Sequence, residues 1–424
     1  MSAGSIEAET AQAQRAAGGA AWAPAAPAAK RALRRIYALD DFEVAARRRL
    51  PQALFGFISG GTETNASLRA NRAAFADWVF VPRVLVDASR RNQSVSLFGQ
   101  TYATPFGIAP MGASALMAYD ADCVLAEAAE AANIPFILSG ASLTPLERVR
   151  RAGRTSWFQA YIPSDRAHIG GLIARVADAG YEVLVVTVDV QVPGNRENNQ
   201  RAGFSLPLRP TPKLLWDGIS HPGWLFGTAA RTLVTRGMLH FENAAAERGG
   251  PVLSAEAANR FAGREALDWD DLAFIREKWR GKLVLKGVLA PEDANRARAL
   301  GVDGVMVSNH GGRQLDGAIA ALHALPAVVA AAGPMTVMLD GGVRRGTDVL
   351  KALALGAKFV FVARPFLYAA AVAGRDGAAH AIRLLASEID RDLALLGCPE
   401  IASLSPDWIA PAGMRANLPR ASAG

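Results

Sequence analysis

The chain has 424 residues, 51% of them hydrophobic and 20% charged, with a formal net charge of +7. This composition excludes a disordered or fibrous protein, the length supports a core that stands without staples, and two cysteines, Cys123 and Cys398, are too few for a disulfide framework and sit in no zinc-like spacing. The basic residues fall in short runs beside helical apolar positions, with no aromatic-interleaved platform, so the charge fits an anionic substrate or membrane surface and nucleic acid is not an expected partner.

Residues 1–30, rich in Ala, Gly, Pro and Gln, predict a disordered tail without the apolar block of a secretion signal; 31–424 reads as one domain. Over 36–75 the pattern is helical. Leu39, Phe42 and Ala46, then Leu54, Phe55 and Ile58, recur at helix spacing, Pro51 opens the second segment, and Gly60-Gly61 closes it. Eight short runs dense in Val, Ile, Leu and Phe follow at 105–109, 134–138, 157–160, 183–188, 283–286, 304–307, 336–339 and 359–362. They lack a period of two, which is how strands buried on both faces read, and this favours a parallel sheet. Helical stretches at 121–132, 145–151, 168–179, 291–300, 320–331 and 347–355 lie between them. The series predicts an α/β protein, a closed (β/α)8 TIM barrel with an N-terminal helical extension; an open doubly wound sheet is the alternative, because strand number alone does not establish closure.

One interval breaks the rhythm. Val188 to Leu283 spans about 90 residues where a βα connection usually takes about 2–6, which places an insertion at about 197–270 after the fourth strand. It holds Leu214-Leu215-Trp216, Trp224-Leu225-Phe226 and Met238-Leu239 together with Arg231 and Arg236. Four readings are open: a lid, an oligomer contact, a peripheral membrane segment, or a packed excursion with its own small core. No run of about 20 uncharged apolar residues is present to span a bilayer.

Barrels of this kind gather reactive side chains at the C-terminal ends of their strands. The polar residues there are Ser139, Gln159, Tyr161, Thr187, Asp189, Lys286, Ser308, Asn309, His310, Arg313, Asp340 and Arg344, more than a structural rim needs. Among six histidines only His310 stands at a strand end beside two glycines with an arginine three residues on, a base next to a carboxylate clamp; Asp189 is placed to orient and stabilise its imidazole. Lys286 must face a polar or anionic partner, and reads as a charge partner for a cofactor or as a Schiff-base lysine. Asp340-Gly341-Gly342-Val343-Arg344 and Ala363-Arg364 follow the seventh and eighth runs, where barrels bind phosphate. With no Walker A sequence and no Rossmann fingerprint after the first strand, that phosphate reads as a mononucleotide's.

Through these residues the sequence resembles the FMN-dependent 2-hydroxy acid dehydrogenases and oxidases, from about Ile36 to Trp408, most specifically over 308–316 and 340–346. The resemblance implies FMN as cofactor and oxidation of an L-2-hydroxy acid to the 2-oxo acid. By the same match His310 is the base, Asp189 its carboxylate partner, Arg313 and Arg196 hold the substrate carboxylate, and Tyr161 lies near the substrate hydroxyl. Lys286 then matches the lysine beside flavin N1, and Ser139, Gln159 and Thr187 match polar contacts to the isoalloxazine. Ser308 lies near that lysine, while Asp340, Gly342, Arg344, Ala363 and Arg364 match the ribityl and phosphate contacts. Phe57 departs from the family's tyrosine, which makes a larger acid more plausible than glycolate or lactate. Ala363 replaces a common glycine but keeps its backbone N–H. Gly112, behind the flavin, leans toward a dehydrogenase over an oxidase. The expected partners are therefore a small 2-hydroxy acid, a quinone or other electron acceptor, and further copies of the chain as a homo-oligomer. The expected place is cytoplasmic or peripheral on the inner face of the cell membrane. Three alternatives stay open: an oxygen-using oxidase, an FMN barrel without hydroxy acid turnover, and a lyase or isomerase using Lys286 as a Schiff base.

Overall fold

The eight apolar runs pair side by side and close on themselves. In the computed structural model, which describes residues 31–413 except 164, 206, 210 and 255–262, the strands are β1 (Phe106–Ile108), β2 (Phe136–Ser139), β3 (Ser156–Ala160), β4 (Val183–Thr187), β5 (Lys282–Val288), β6 (Gly304–Val307), β7 (Thr336–Asp340) and β8 (Phe359–Val362). They run parallel in that order, and β8 returns to β1 through Val360 opposite Phe106, so the sheet is a barrel and not an open doubly wound sheet. The tail expected over 1–30 and part of the insertion, 255–262, lie outside the described residues.

Register explains why one rim is polar. Ser139 pairs with Gln159 and Thr187 with Lys286, so polar residues at or near the ends of β2 and β3, and then of β4 and β5, stand level around the mouth. β5 runs two residues beyond the expected Lys286, through a bulge between Lys286 and Val288. Gly287 makes the bulge with φ +106, and a Cβ there would lie 2.7 Å from Asp189 Cγ. Only glycine lets β5 approach the carboxylate so closely while the bulge re-aims Lys286.

The helical N-terminal region divides into Leu39–Arg49, Gln52–Ser59 and Ala66–Ala73. Pro51 flanks the second helix instead of opening it. Phe42 and Leu39 are buried against the long C-terminal helical pair Arg364–Leu396, which breaks at Ala373-Gly374. The third helix is held to the loop after β6: Asp316 accepts from Ser67 N at 2.8 Å and Thr64 Oγ1 at 2.6 Å, and Asn71 bonds Asn309 at 2.6 Å. The extension thereby lies against the mouth.

Between β4 and the helix Trp269–Lys278 the chain forms helices Glu197–Ala202 and Pro212–Ile219 and a continuous helical run over 222–236 whose turns widen at Leu225–Ala230. Ala113, Ala115, Leu143, Phe241 and Val252 make a second small core that packs the returning limb against the loops after β1 and β2. Its outer side leaves Leu215, Trp216, Ile219, Phe226, Leu233 and Val234 exposed. The excursion thus combines a core of its own with an apolar outer face. Among the described residues no helix is long and apolar enough to cross a membrane.

Candidate active site

Three strand ends build the centre of the mouth. Lys286, on β5, is buried with Nζ 2.7 Å from Asp340 Oδ2 on β7. Ser308, directly after β6, accepts from Lys286 Nζ at 2.9 Å and donates to Asp340 Oδ2 at 3.0 Å. Burial would lower the Lys286 pKa, but the charges of Asp340 and Asp189 hold it above the ordinary lysine value. The family resemblance sets Ser308 near Lys286, as found; the further link to Asp340 shows at no single strand end and comes from register.

His310 takes a left-handed backbone, φ +57, and its N–H donates to Ser308 Oγ at 3.0 Å. A non-glycine residue held there is uncommon, and the turn aims the ring across the mouth. Nδ1 lies 2.9 Å from Asp189 Oδ1, and Nε2 lies 3.4 Å from the Tyr161 hydroxyl. Pairing Nδ1–H with the carboxylate leaves Nε2 as the free lone pair. Burial holds the His310 pKa below the ordinary imidazole value against the opposing pull of Asp189. Burial would raise Asp189, yet the charge and hydrogen bond of His310, and then Lys286, keep it below the ordinary carboxylate range. The geometry is that of a carboxylate orienting an imidazole through Nδ1.

Beside it lies a cluster of guanidinium groups. Arg313 donates to Gly60 O at 2.7 Å, Arg364 to Ile58 O at 3.0 Å and Gly311 O at 3.1 Å, and Arg196 to Arg313 O at 3.1 Å and Gln314 Oε1 at 2.8 Å. Their partners are neutral oxygens. Burial, reinforced by the charges of Arg196 and Arg364, holds Arg313 well below the usual guanidinium range, and burial lowers Arg196 and Arg364 as well. A desolvated positive cluster of this kind is built to receive an anion.

One cavity joins these groups. Its wall includes Phe57, Met111, Gly112, Tyr161, Thr187, Val190, Arg196, Lys286, His310 and Arg313, and it extends to Asp340, Gly342, Arg344, Ala363 and Arg364. Ser139, Gln159 and Ser308 are buried at the same strand ends. Every expected site residue is therefore at this mouth. Sequence reasoning missed Phe204, which stacks on Phe57 with centroids 4.3 Å apart, and Arg264, whose guanidinium lies 4.3 Å over the Tyr161 ring. Both come from the insertion, away from any strand end.

The residues fit a flavin mononucleotide on three counts. Gln159 Nε2 and Thr187 Oγ1 are buried with no hydrogen-bond partner among the described residues, which suits a heteroaromatic ring carrying donors and acceptors. A Cβ on Gly112 would lie 2.9 Å from Ala141 Cβ, so the absence of a side chain lets these two backbone segments meet closely at the cavity wall. At the far end Arg344, pushed down to about 10 by burial, and Arg364, first residue of its helix, form a cationic corner that suits a phosphate.

Comparison with known proteins agrees. The family described as FMN-dependent dehydrogenase matches residues 46–411. The chain belongs to the FMN-dependent 2-hydroxy acid dehydrogenases. It is 37% identical over 385 residues to (S)-mandelate dehydrogenase of Pseudomonas putida, covering 91% of this chain and 96% of that one. It is 38% identical over 377 residues to L-lactate dehydrogenase of Pectobacterium atrosepticum, covering 88% and 96%. Among solved structures, the monotopic membrane protein (S)-mandelate dehydrogenase superposes with a TM-score of 0.81 at 36% identity, covering 89% of this chain and all of that one. Mandelate oxidase with (S)-2-phenylpropionate gives 0.72 at 34% identity, covering 88% and 98%. As a member of this family the chain is an FMN flavoprotein and an oxidoreductase.

Proposed function

We propose that the protein oxidises an L-2-hydroxy acid with a bulky side chain to the 2-oxo acid, with His310 as the base and a membrane quinone as the electron acceptor. The observation that carries this reading is the His310 ring, oriented by Asp189 and turned with Nε2 toward Tyr161 beside the arginine cluster. Arg313 and Arg196 hold the substrate carboxylate, which places the 2-hydroxyl by Tyr161 and His310. Bound FMN supplies the two-electron acceptor. His310 Nε2 takes the proton released as the substrate is oxidised, and the Asp189 carboxylate stabilises the imidazolium. Gln159 and Thr187 would hold the flavin ring through their free polar atoms, and Lys286 would offer it an ammonium. Arg344 and Arg364 hold the phosphate.

Phe57 is the basis for the bulky side chain. It gives no hydroxyl to the substrate carboxylate, and its ring lies under Arg313 at 5.2 Å and against Phe204. Phe57→Tyr restores one hydrogen bond to a charged group, worth about 1.5–3 kcal/mol, so kcat/KM for lactate should rise by roughly 10-fold or more while that for mandelate changes less. Steady-state kinetics on the two acids checks this; an equal change for both contradicts it. Anaerobic flavin bleaching across lactate, mandelate and longer 2-hydroxy acids then ranks the substrates.

The lowered pKa of His310 carries a pH dependence. A base must be unprotonated to act, and this one loses its proton below the ordinary imidazole value of about 6.5. kcat/KM should therefore be flat through neutral pH and fall only on the acid side of that value. An acid limb centred above pH 7 would contradict the assignment.

A peripheral place on a membrane is supported by the apolar face over 212–236 and by the likeness to a monotopic membrane protein. Leu215, Trp216, Phe226 and Val234 with Arg231 and Arg236 give the mixture of apolar, aromatic and basic residues that lies in a bilayer interface. Sedimentation with lipid vesicles tests it, and reoxidation of the bleached flavin by a quinone faster than by oxygen tests the acceptor.

A further inference from the structure

The helix Gln52–Ser59 carries Phe57 on the cavity wall, yet it has no side-chain cap of its own, since Pro51 stands at its start. Its cap comes from the insertion. Asp217 Oδ1 accepts from Gln52 N at 2.9 Å, and Oδ2 accepts from Ala53 N at 3.0 Å. Asp217 belongs to the helix Pro212–Ile219, the one that turns Leu215, Trp216 and Ile219 outward at 57%, 71% and 59% exposure. At the other end of Gln52–Ser59 the carbonyls of Ile58 and Gly60 receive Arg313 and Arg364. A carboxylate thus holds the positive end of the helix dipole and two guanidinium groups hold the negative end. Eight residues are too few to hold a helix by propensity alone, so its place depends on the burial of Ala53, Leu54 and Ile58 and on what grips its two ends.

We propose that Asp217 is a positioning residue that couples the outer apolar face to the arginine clamp, so that docking of that face on a lipid surface tightens substrate binding. The proposal rests on the membrane and clamp readings given above. Docking immobilises Pro212–Ile219, and through Asp217 it keeps Gln52–Ser59 where Ile58 and Gly60 orient Arg313. Trp224, which donates to Leu116 O at 2.8 Å, and Arg231, 3.8 Å over the Tyr119 ring, anchor the following helical run to the loop after β1. Arg49 also donates to Gly223 O at 3.3 Å and the helix Glu197–Ala202 packs on Gln52–Ser59, while from the outward-turned helix Pro212–Ile219 it is Asp217 that bonds the start of Gln52–Ser59.

The test uses the FMN-loaded enzyme as wild type, Asp217→Ala and Asp217→Asn, with the acid that bleaches the flavin fastest. KM and kcat are measured with and without vesicles of phosphatidylethanolamine and phosphatidylglycerol, and sedimentation with the same vesicles is scored separately. Loss of an N-cap implies a KM about 3- to 30-fold higher for Asp217→Ala in solution, with kcat within about twofold of wild type. Vesicles should lower the wild-type KM and leave that of Asp217→Ala unmoved although it still sediments. Asp217→Asn, whose amide oxygen still caps, should fall between them and recover part of the vesicle response. A wild-type KM in Asp217→Ala, or a vesicle response equal to wild type, overturns the coupling. Failure of the wild type to sediment overturns the membrane reading and the vesicle response with it, while the KM of Asp217→Ala in solution still decides whether Asp217 positions the clamp.

Discussion

Replacing His310 by glutamine should leave the protein yellow and almost unable to reduce its flavin. The phosphate corner at Arg344 and Arg364 and the polar ends of β3 and β4 do not involve the imidazole, so FMN stays bound. Glutamine can donate to Asp189 but takes up no proton in the neutral range. Loss of a positioned base costs about 10²- to 10⁴-fold in the rate it assists. Stopped-flow bleaching under anaerobic conditions reads that rate directly, and bleaching at near wild-type speed in His310→Gln would remove His310 from the mechanism. Asp189→Asn should be slowed for a related reason: the amide neither stabilises an imidazolium nor fixes the same tautomer.

Lys286→Met is expected to damage stability and cofactor retention together. Lys286 Nζ and Asp340 Oδ2 are 2.7 Å apart and both side chains are almost buried. Removing one partner of such a pair leaves a charge without compensation and destabilises by about 3–5 kcal/mol. The variant should melt well below wild type and release FMN readily, which thermal melts followed by circular dichroism and by flavin fluorescence will show. The ammonium is held above its ordinary value, so the stability it contributes is fully present below about pH 10.4 and is lost as pH rises through the elevated folded value. Neutral or mildly acidic buffer therefore should not mimic the mutation. A variant that melts and holds FMN like wild type would mean that Asp340 is satisfied without the lysine.

The barrel was legible because its strands are buried on both faces, and an uninterrupted apolar run such as Val183–Thr187 has few other readings. The site was legible for a connected reason. A buried strand that ends in Lys286, or is followed by His310, places a costly polar group where only a mouth can accept it. What stayed hidden depends on pairs far apart in the chain. Closure between β8 and β1 is a property of register, and so is the meeting of Lys286 with Asp340. The bulge at Gly287 follows from how closely Asp189 approaches it, and no local pattern reports that distance. Arg264 over Tyr161 and Phe204 on Phe57 come from an excursion whose helices carry no strand-end signal. The inner core and the outer apolar face of that excursion could not be told apart in the sequence, because both consist of the same residue types and differ only in what covers them.

The most direct measurement is anaerobic titration of the purified yellow protein with each enantiomer of mandelate, with the products analysed for the 2-oxo acid. One enantiomer should bleach the flavin completely and yield one equivalent of phenylglyoxylate per flavin, and the other should leave the spectrum unchanged. A flavin that stays oxidised with both enantiomers, and with lactate and longer 2-hydroxy acids as well, would contradict the account at its centre.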